Sequence, residues 1–328
     1  MARIRAVLGA VWRAQRRDQK SFESVVSNNF FIVSAFFLQK AGTFIYLILG
    51  LVLLFPLSTD PLRKVPRSRL ALWPLDGMER RILRIVSPWV NPVTWGMAAL
   101  ALWMARGRVS LGLWAVVAAI IVTGFVLSEI PAPAHGMLRR VPQFPTVLNH
   151  LIRKNLREMF ATLDFYCALL LSLAALAYRL LGPPLPREAF VPLTVLVVLA
   201  LSSYAQCLFG LDGDGGLGRY RLLPLAGWQI LAAKDAAFLL IAIPLTLPLA
   251  PIPGISAALV ALALGHAPSV DEHREQTRWR FSSGASVIYG FIQAGLMAMA
   301  ATNDQRLVIA PVVAAFLGSL LYYGRRFK

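Results

Sequence analysis

The chain has 328 residues, 57% of them hydrophobic and only 15% charged, with a mean hydropathy of +0.63. Apolar stretches long enough to cross a bilayer alternate with short charged patches, which excludes an ordinary soluble domain, and the roughly ten-residue apolar/polar alternation of an outer-membrane barrel is absent. The formal net charge of +17 lies mostly in loops, as the positive-inside rule expects beside anionic lipid; no RNA- or DNA-binding motif accompanies it, so membrane lipid is the expected partner and nucleic acid is not.

Residues 1–21 place Ile4, Val7, Leu8 and Val11 at helical spacing among Arg3, Arg5, Arg13, Arg16, Arg17 and Lys20. That pattern predicts an amphipathic, basic helix on the cytoplasmic membrane face. Arg13, Arg16 and Arg17 interrupt its apolar stretch, so it does not read as a cleavable signal peptide.

A first membrane half follows over 22–136. Its run from Phe30 to Phe55 is broken at Gln39-Lys40. One span, or two turning there, both fit the length. Two are preferred, because the basic N-terminus and the loop holding Arg63, Lys64, Arg67, Arg69, Arg80, Arg81 and Arg84 then both face inside. Further spans are expected at 89–105 and 109–129. A basic connector, 137–158, carries Arg139, Arg140, Arg153, Lys154 and Arg157.

The second membrane half, 159–328, predicts spans near 159–181, 189–210, 236–250, 254–266, 283–301 and 307–323. The 254–266 stretch is short for a core of about 30 Å and reads as tilted, broken or re-entrant. The expected fold class is all-α: a polytopic helical membrane protein of about ten transmembrane helices in two degenerate parallel halves. Both termini are expected to be cytoplasmic, and the location the inner cell membrane. Cys167 and Cys207 each sit inside an apolar run without a C-x-x-C, and read as buried packing residues.

One short motif occurs twice. Arg69-Leu70-Ala71-Leu72-Trp73-Pro74-Leu75-Asp76-Gly77 and Arg219-Tyr220-Arg221-Leu222-Leu223-Pro224-Leu225-Ala226-Gly227 both read R-x-x-L-[W/L]-P-L-x-G. In the first copy Asp76 and Glu79 have capping-box spacing, which predicts a short helix from Met78 to Arg84. The second keeps Gln229 at the Glu79 position but has Ala226 at the cap. Each copy is expected to present an ordered turn and a short helix; tight turns re-entering the membrane are the competing structural reading.

The second copy lies in a longer segment, L-F-G-L-D-G-D-G-G-L-G-R-Y-R-L-L-P-L-A-G-W-Q-I-L-A-A-K-D, residues 208–235. It resembles a segment of bacterial ABC-2-type transporter permeases that reads roughly F-G-x-D-G-x-G, then L-L-x-P-x-x-x-x-x-I-L-x-x-K-N. Phe209, Gly210, Asp212, Gly213, Gly215, Leu222, Leu223, Pro224, Ile230, Leu231 and Lys234 match; Asp235 departs from the usual Asn. The match covers about thirty residues, with a degenerate echo near 54–84. The resemblance implies a membrane subunit, usually of an exporter, driven by a separate cytoplasmic ABC ATPase subunit. A homodimer or a second permease is the further partner it leaves open.

No G-x-x-x-x-G-K-[ST] occurs in the chain, so it lacks the usual phosphate cradle and is not expected to be an enzyme itself. Arg69, Pro74, Leu75, Gly77, Glu79, Arg219, Pro224, Leu225, Gly227 and Lys234 are the candidate ATPase-coupling residues. Asp164 is the candidate for a polar role inside the membrane.

No cofactor or metal is expected. Asp212-Gly213-Asp214-Gly215-Gly216 imitates a calcium loop, but position twelve would be Leu223. The rival functions are a secondary transporter, which needs charges in the membrane midplane, and a lipid-metabolism enzyme, for which no convergent His, Ser or carboxylate set is visible in the sequence.

Overall fold

The computed structural model describes residues 2–17, 62, 72–90, 95, 122, 148–181, 190–212, 216–271 and 287–327. The chain divides into two compact units, Met1–Asn28 with Gly42–Glu129, and Asn29–Ala41 with Ile130–Lys328. Among the described residues all regular structure is helical.

In the first unit, α1 (Ala2–Arg17) and α2 (Gly77–Val86) are joined by a small core of Ile4, Leu62, Leu75 and Leu83. The α1 stripe read from the sequence supplies Ile4, with Val7, Leu8 and Val11 packed beside it. It therefore covers protein around the first motif loop. Glu79 reaches back to accept from the Asp76 N–H at 3.2 Å, and Arg80 donates to the Trp73 carbonyl at 3.3 Å. A 3-10 turn, Ser87–Val90, follows. Arg69, the run from Phe30 to Phe55 and the spans expected over 89–105 and 109–129 lie outside the described residues, apart from Trp89, Val90, Trp95 and Val122.

The second unit holds α3 (Asn149–Met159), α4 (Leu163–Leu181), α5 (Phe190–Gln206), the short α6 (Gly216–Arg221), α7 (Gly227–Thr246), α8 (Pro251–Asp271), α9 (Val287–Thr302) and α10 (Gln305–Arg326). Three of these, α7, α8 and α10, are long and apolar enough to cross a bilayer. A fourth crossing arises if α3 and α4, bent by 77° at their junction, form one broken span. The described residues are those of a helical membrane protein.

Two expectations change. The span expected to begin near 236 starts at Gly227, so the second motif runs straight into a 20-residue helix, and no separate short helix follows it. The short 254–266 stretch is the middle of the continuous 21-residue α8, about 32 Å long at 1.5 Å per residue. Its N-terminal extension begins at Pro251, which is well placed in a first turn where no intrahelical N–H bond is needed.

Helix α8 packs against α5, α7, α9 and α10, and α5 is buried at nearly every position. Helix α10 exposes Leu307, Val313, Leu317 and Leu321, an apolar face that lipid would cover.

The turn from α7 to α8 leaves carbonyls without intrahelical partners, and α4 supplies donors. Ser172 donates to the Leu245 carbonyl at 2.6 Å, and Arg179 donates to the Pro248 and Leu249 carbonyls. A helix end inside a bundle needs such partners.

Candidate functional site

The residues of the second motif segment converge at the end of the bundle where α7 begins. Asp212 ends a 3-10 turn, Gly210–Asp212, between α5 and α6. Its side chain is 2% exposed. The Lys234 ammonium, 1% exposed on α7, stands 2.8 Å from Asp212 Oδ2. Lys154, half-exposed on α3, donates to Asp212 Oδ1, and the Tyr220 hydroxyl on α6 donates to the same oxygen at 2.9 Å. Asn155 accepts from Lys234 at 3.1 Å.

Rings close the site. The Lys234 nitrogen lies 4.9 Å from the centre of Phe209 and 5.0 Å from that of Tyr220, and Phe209 stacks on Phe327 at 5.0 Å. Cation–π contacts of this kind strengthen when water is excluded.

The electrostatics are those of a lock. Burial pushes the Asp212 carboxyl up, but the Lys234 ammonium and the hydrogen bonds from Lys154 and Lys234 outweigh it and hold it below the ordinary carboxylate range. Tyr220 is raised far above the ordinary phenol range, first by burial, then by the charge and hydrogen bond of Asp212. It stays a neutral donor. Two cations and one carboxylate from α3, α7 and the 3-10 turn thus fix the loop to two helices.

Beyond this anchor, the chain is solvent-facing. Leu222 is 85% exposed, and Arg219, Arg221, Leu223 and Pro224 are exposed with it. Arg219 donates to the Asp212 carbonyl at 3.3 Å. Leu225 is half-buried. Gln229 accepts from the Ala226 N–H at 2.9 Å, so the reaching-back half of the capping box forms in this copy too.

Gly227 is a packing residue. A Cβ there would overlap the Gly324 carbonyl and the Phe327 side chain, and a Cβ on Gly324 would meet the Trp228 backbone at 2.6 Å. The start of α7 and the end of α10 are therefore pressed backbone to backbone. Gly77 in the first copy has nothing within 4 Å of that position.

Of the residues predicted from sequence, the structure brings Lys234 into the Asp212 site, buried, where it holds the loop and presents nothing to a partner. Arg219, Pro224 and Leu225 sit on the adjoining turn. Pro74 and Gly77 are exposed and Leu75 buried in the first unit, with Glu79 half-buried. Asp164 is 2% exposed in the first turn of α4, where a helix N-terminus favours a carboxylate.

No family model, curated protein or solved structure matches the chain.

Sequence reasoning missed Asp212 as the centre of the site, and with it Lys154, Asn155 and Tyr220. It also missed a second constellation, Asp235, His266 and Ser319. The available signal was Lys234-Asp235, two charges inside an apolar run, which calls for partners from elsewhere in the bundle. The calcium-loop resemblance fails on chemistry: Asp212 has its carboxylate committed to two ammonium groups and a phenol. Among the described residues no group of three or more His, Cys, Asp or Glu is arranged to hold a metal.

Proposed function

We propose that this chain is the membrane-spanning subunit of an ABC-2-type transporter in the inner cell membrane, exporting its substrate with energy from a separate ATPase subunit. In this reading about ten helices cross the membrane, both termini are cytoplasmic, and the loop around Pro224 is the main docking surface. One observation carries it: residues of the segment that resembles these permeases, Phe209, Asp212 and Lys234, meet as a buried anchor, while Leu222, Leu223 and Pro224 of the same segment stand exposed beside it.

A loop that receives a mechanical push needs both features. Its tip must offer apolar anchors to a partner, and its base must be rigid enough to pass displacement to a spanning helix. Here the base is tied to α3 and α7 by charge-assisted hydrogen bonds, which are stronger than neutral ones. The first copy, with Pro74 ahead of α2 and Gly77 and Glu79 in its first turn, is a second and unequal contact.

The test is co-purification of the tagged chain with the products of its neighbouring genes. A bound P-loop ATPase whose activity rises with the complete chain supports the reading. Absence of such an ATPase, with transport unchanged when ATP is withheld, overturns it. The buried Asp235–His266 pair within two candidate spans favours a second reading, secondary transport; substrate uptake driven by a proton gradient in ATP-free vesicles would select it.

A further inference from the structure

Asp235, His266 and Ser319 come from α7, α8 and α10 and meet inside the second unit. His266 Nε2 stands 3.0 Å from Asp235 Oδ2 and 3.2 Å from Oδ1. Nδ1 stands 2.9 Å from Ser319 Oγ. His266 is 0% and Asp235 2% exposed.

The proton positions follow from one further bond. The Ser319 hydroxyl donates to the Ala263 carbonyl at 2.6 Å. A hydroxyl has a single hydrogen. With that hydrogen on Ala263, Ser319 Oγ accepts from His266, so Nδ1 carries an N–H. The Nε2–carboxyl contact then needs a second proton. It sits on Nε2, giving imidazolium against carboxylate, or on Asp235, giving two neutral partners. With neither, an acceptor nitrogen and a carboxylate oxygen would face each other in a dry site, which is costly.

We propose that Asp235, His266 and Ser319 form a proton-binding site inside the helical bundle, with one proton held between the Asp235 carboxyl and His266 Nε2. Release of that proton leaves the ring one hydrogen. It moves to Nε2 to meet the Asp235 carboxylate, Nδ1 becomes bare, and Ser319 turns its hydroxyl from Ala263 to Nδ1. Protonation thereby rewires the contact between α8 and α10.

Besides His266, the charge that acts on Asp235 is that of its neighbour Lys234, which is itself paired with Asp212. On the helices packed around the site, Tyr204 of α5 is buried, and Tyr289 of α9 donates to the Leu264 carbonyl. Lys154 and Glu158 of α3 pair with each other at 3.8 Å, Asp164 lies in the first turn of α4, and Arg325 and Arg326 end α10, where Arg326 pairs with Asp271 of α8 at 3.8 Å. Asp235 stands where the resembling segment usually has Asn; an amide at this position would keep a hydrogen bond to His266 with no proton to release.

The full-length chain in lipid nanodiscs, with His135→Gln, His150→Gln and His273→Gln, leaves His266 as the single histidine for ¹⁵N-imidazole NMR. A spectrum of the unsubstituted chain minus that of His266→Gln gives the same signal should the triple variant misfold. The expected result is a protonated Nδ1 at pH 6, with a pH response that Asp235→Asn abolishes. A bare Nδ1 with a protonated Nε2 at pH 6, or a pH response unchanged by Asp235→Asn, overturns the proposal.

Discussion

Asp212 and Lys234 are separated by 22 positions in the chain, and their side chains meet at 2.8 Å in a site that hides both from solvent. Taking two charges out of water is costly, so such a pair persists only when geometry and further hydrogen bonds offset the cost. Here Tyr220, Asn155 and Lys154 provide those bonds. Removing one partner strands the other. Lys234→Met or Asp212→Leu should each destabilise the chain by about 3–5 kcal/mol, and the double variant should be less damaging than the two single losses summed. Denaturant unfolding of the detergent-solubilised chain measures this cycle.

Acid should act on the same pair. Asp212 is depressed below its unfolded value of about 3.9, so its contribution is fully present above that value and is lost as pH falls further, through the folded pKa. Tyr220 is raised above its unfolded value of about 10, so the stability linked to its neutral form is present below pH 10 and declines above it. The expected profile is free of any Asp212 or Tyr220 contribution to the slope from about pH 5 to 9. Asp212→Asn should remove part of the acid slope, and Tyr220→Phe part of the alkaline one, in thermal melts across pH.

The two motif glycines should respond in opposite ways. Gly227→Ala forces the start of α7 away from Gly324 and Phe327, at a cost of about 1–3 kcal/mol for overpacking. Gly77→Ala meets nothing within 4 Å and should be neutral or stabilising by up to about 1 kcal/mol through helix propensity. Melting temperatures of the two variants make the comparison.

The exposed tip should separate docking from folding. Leu222 is 85% exposed, so Leu222→Asp should alter stability by less than about 0.5 kcal/mol. If the loop receives an ATPase, the same change should abolish co-purification, and Pro224→Ala should lower the ATPase activity coupled to transport. Retention of the ATPase by Leu222→Asp would place the docking surface elsewhere.

Helix α7 begins at Gly227, nine residues before the apolar run that marks it in the sequence. Hydropathy set the span at 236 because Lys234 and Asp235 count against burial. In the structure both lie within the helix, buried, since Lys234 finds Asp212 and Asp235 finds His266. The same limit hid Asp212: its segment was legible as a glycine-rich turn, but nothing nearby in sequence revealed Lys154, which arrives from α3. Ser319 was invisible for the same reason, as an ordinary small residue in an apolar helix.

Periodicity and composition determined what is local: the helices of the described residues, apolar lengths that fit a bilayer, a basic amphipathic start, and a proline-glycine motif that orders a helix end. These follow from each residue's own solvation and backbone preferences. Only the tertiary structure decided which charges are buried, which glycine is pressed against a neighbouring backbone, and which motif residues remain outside. Those outcomes depend on partners tens of positions away, and a buried charge is tolerated only once its counter-charge has been brought to it.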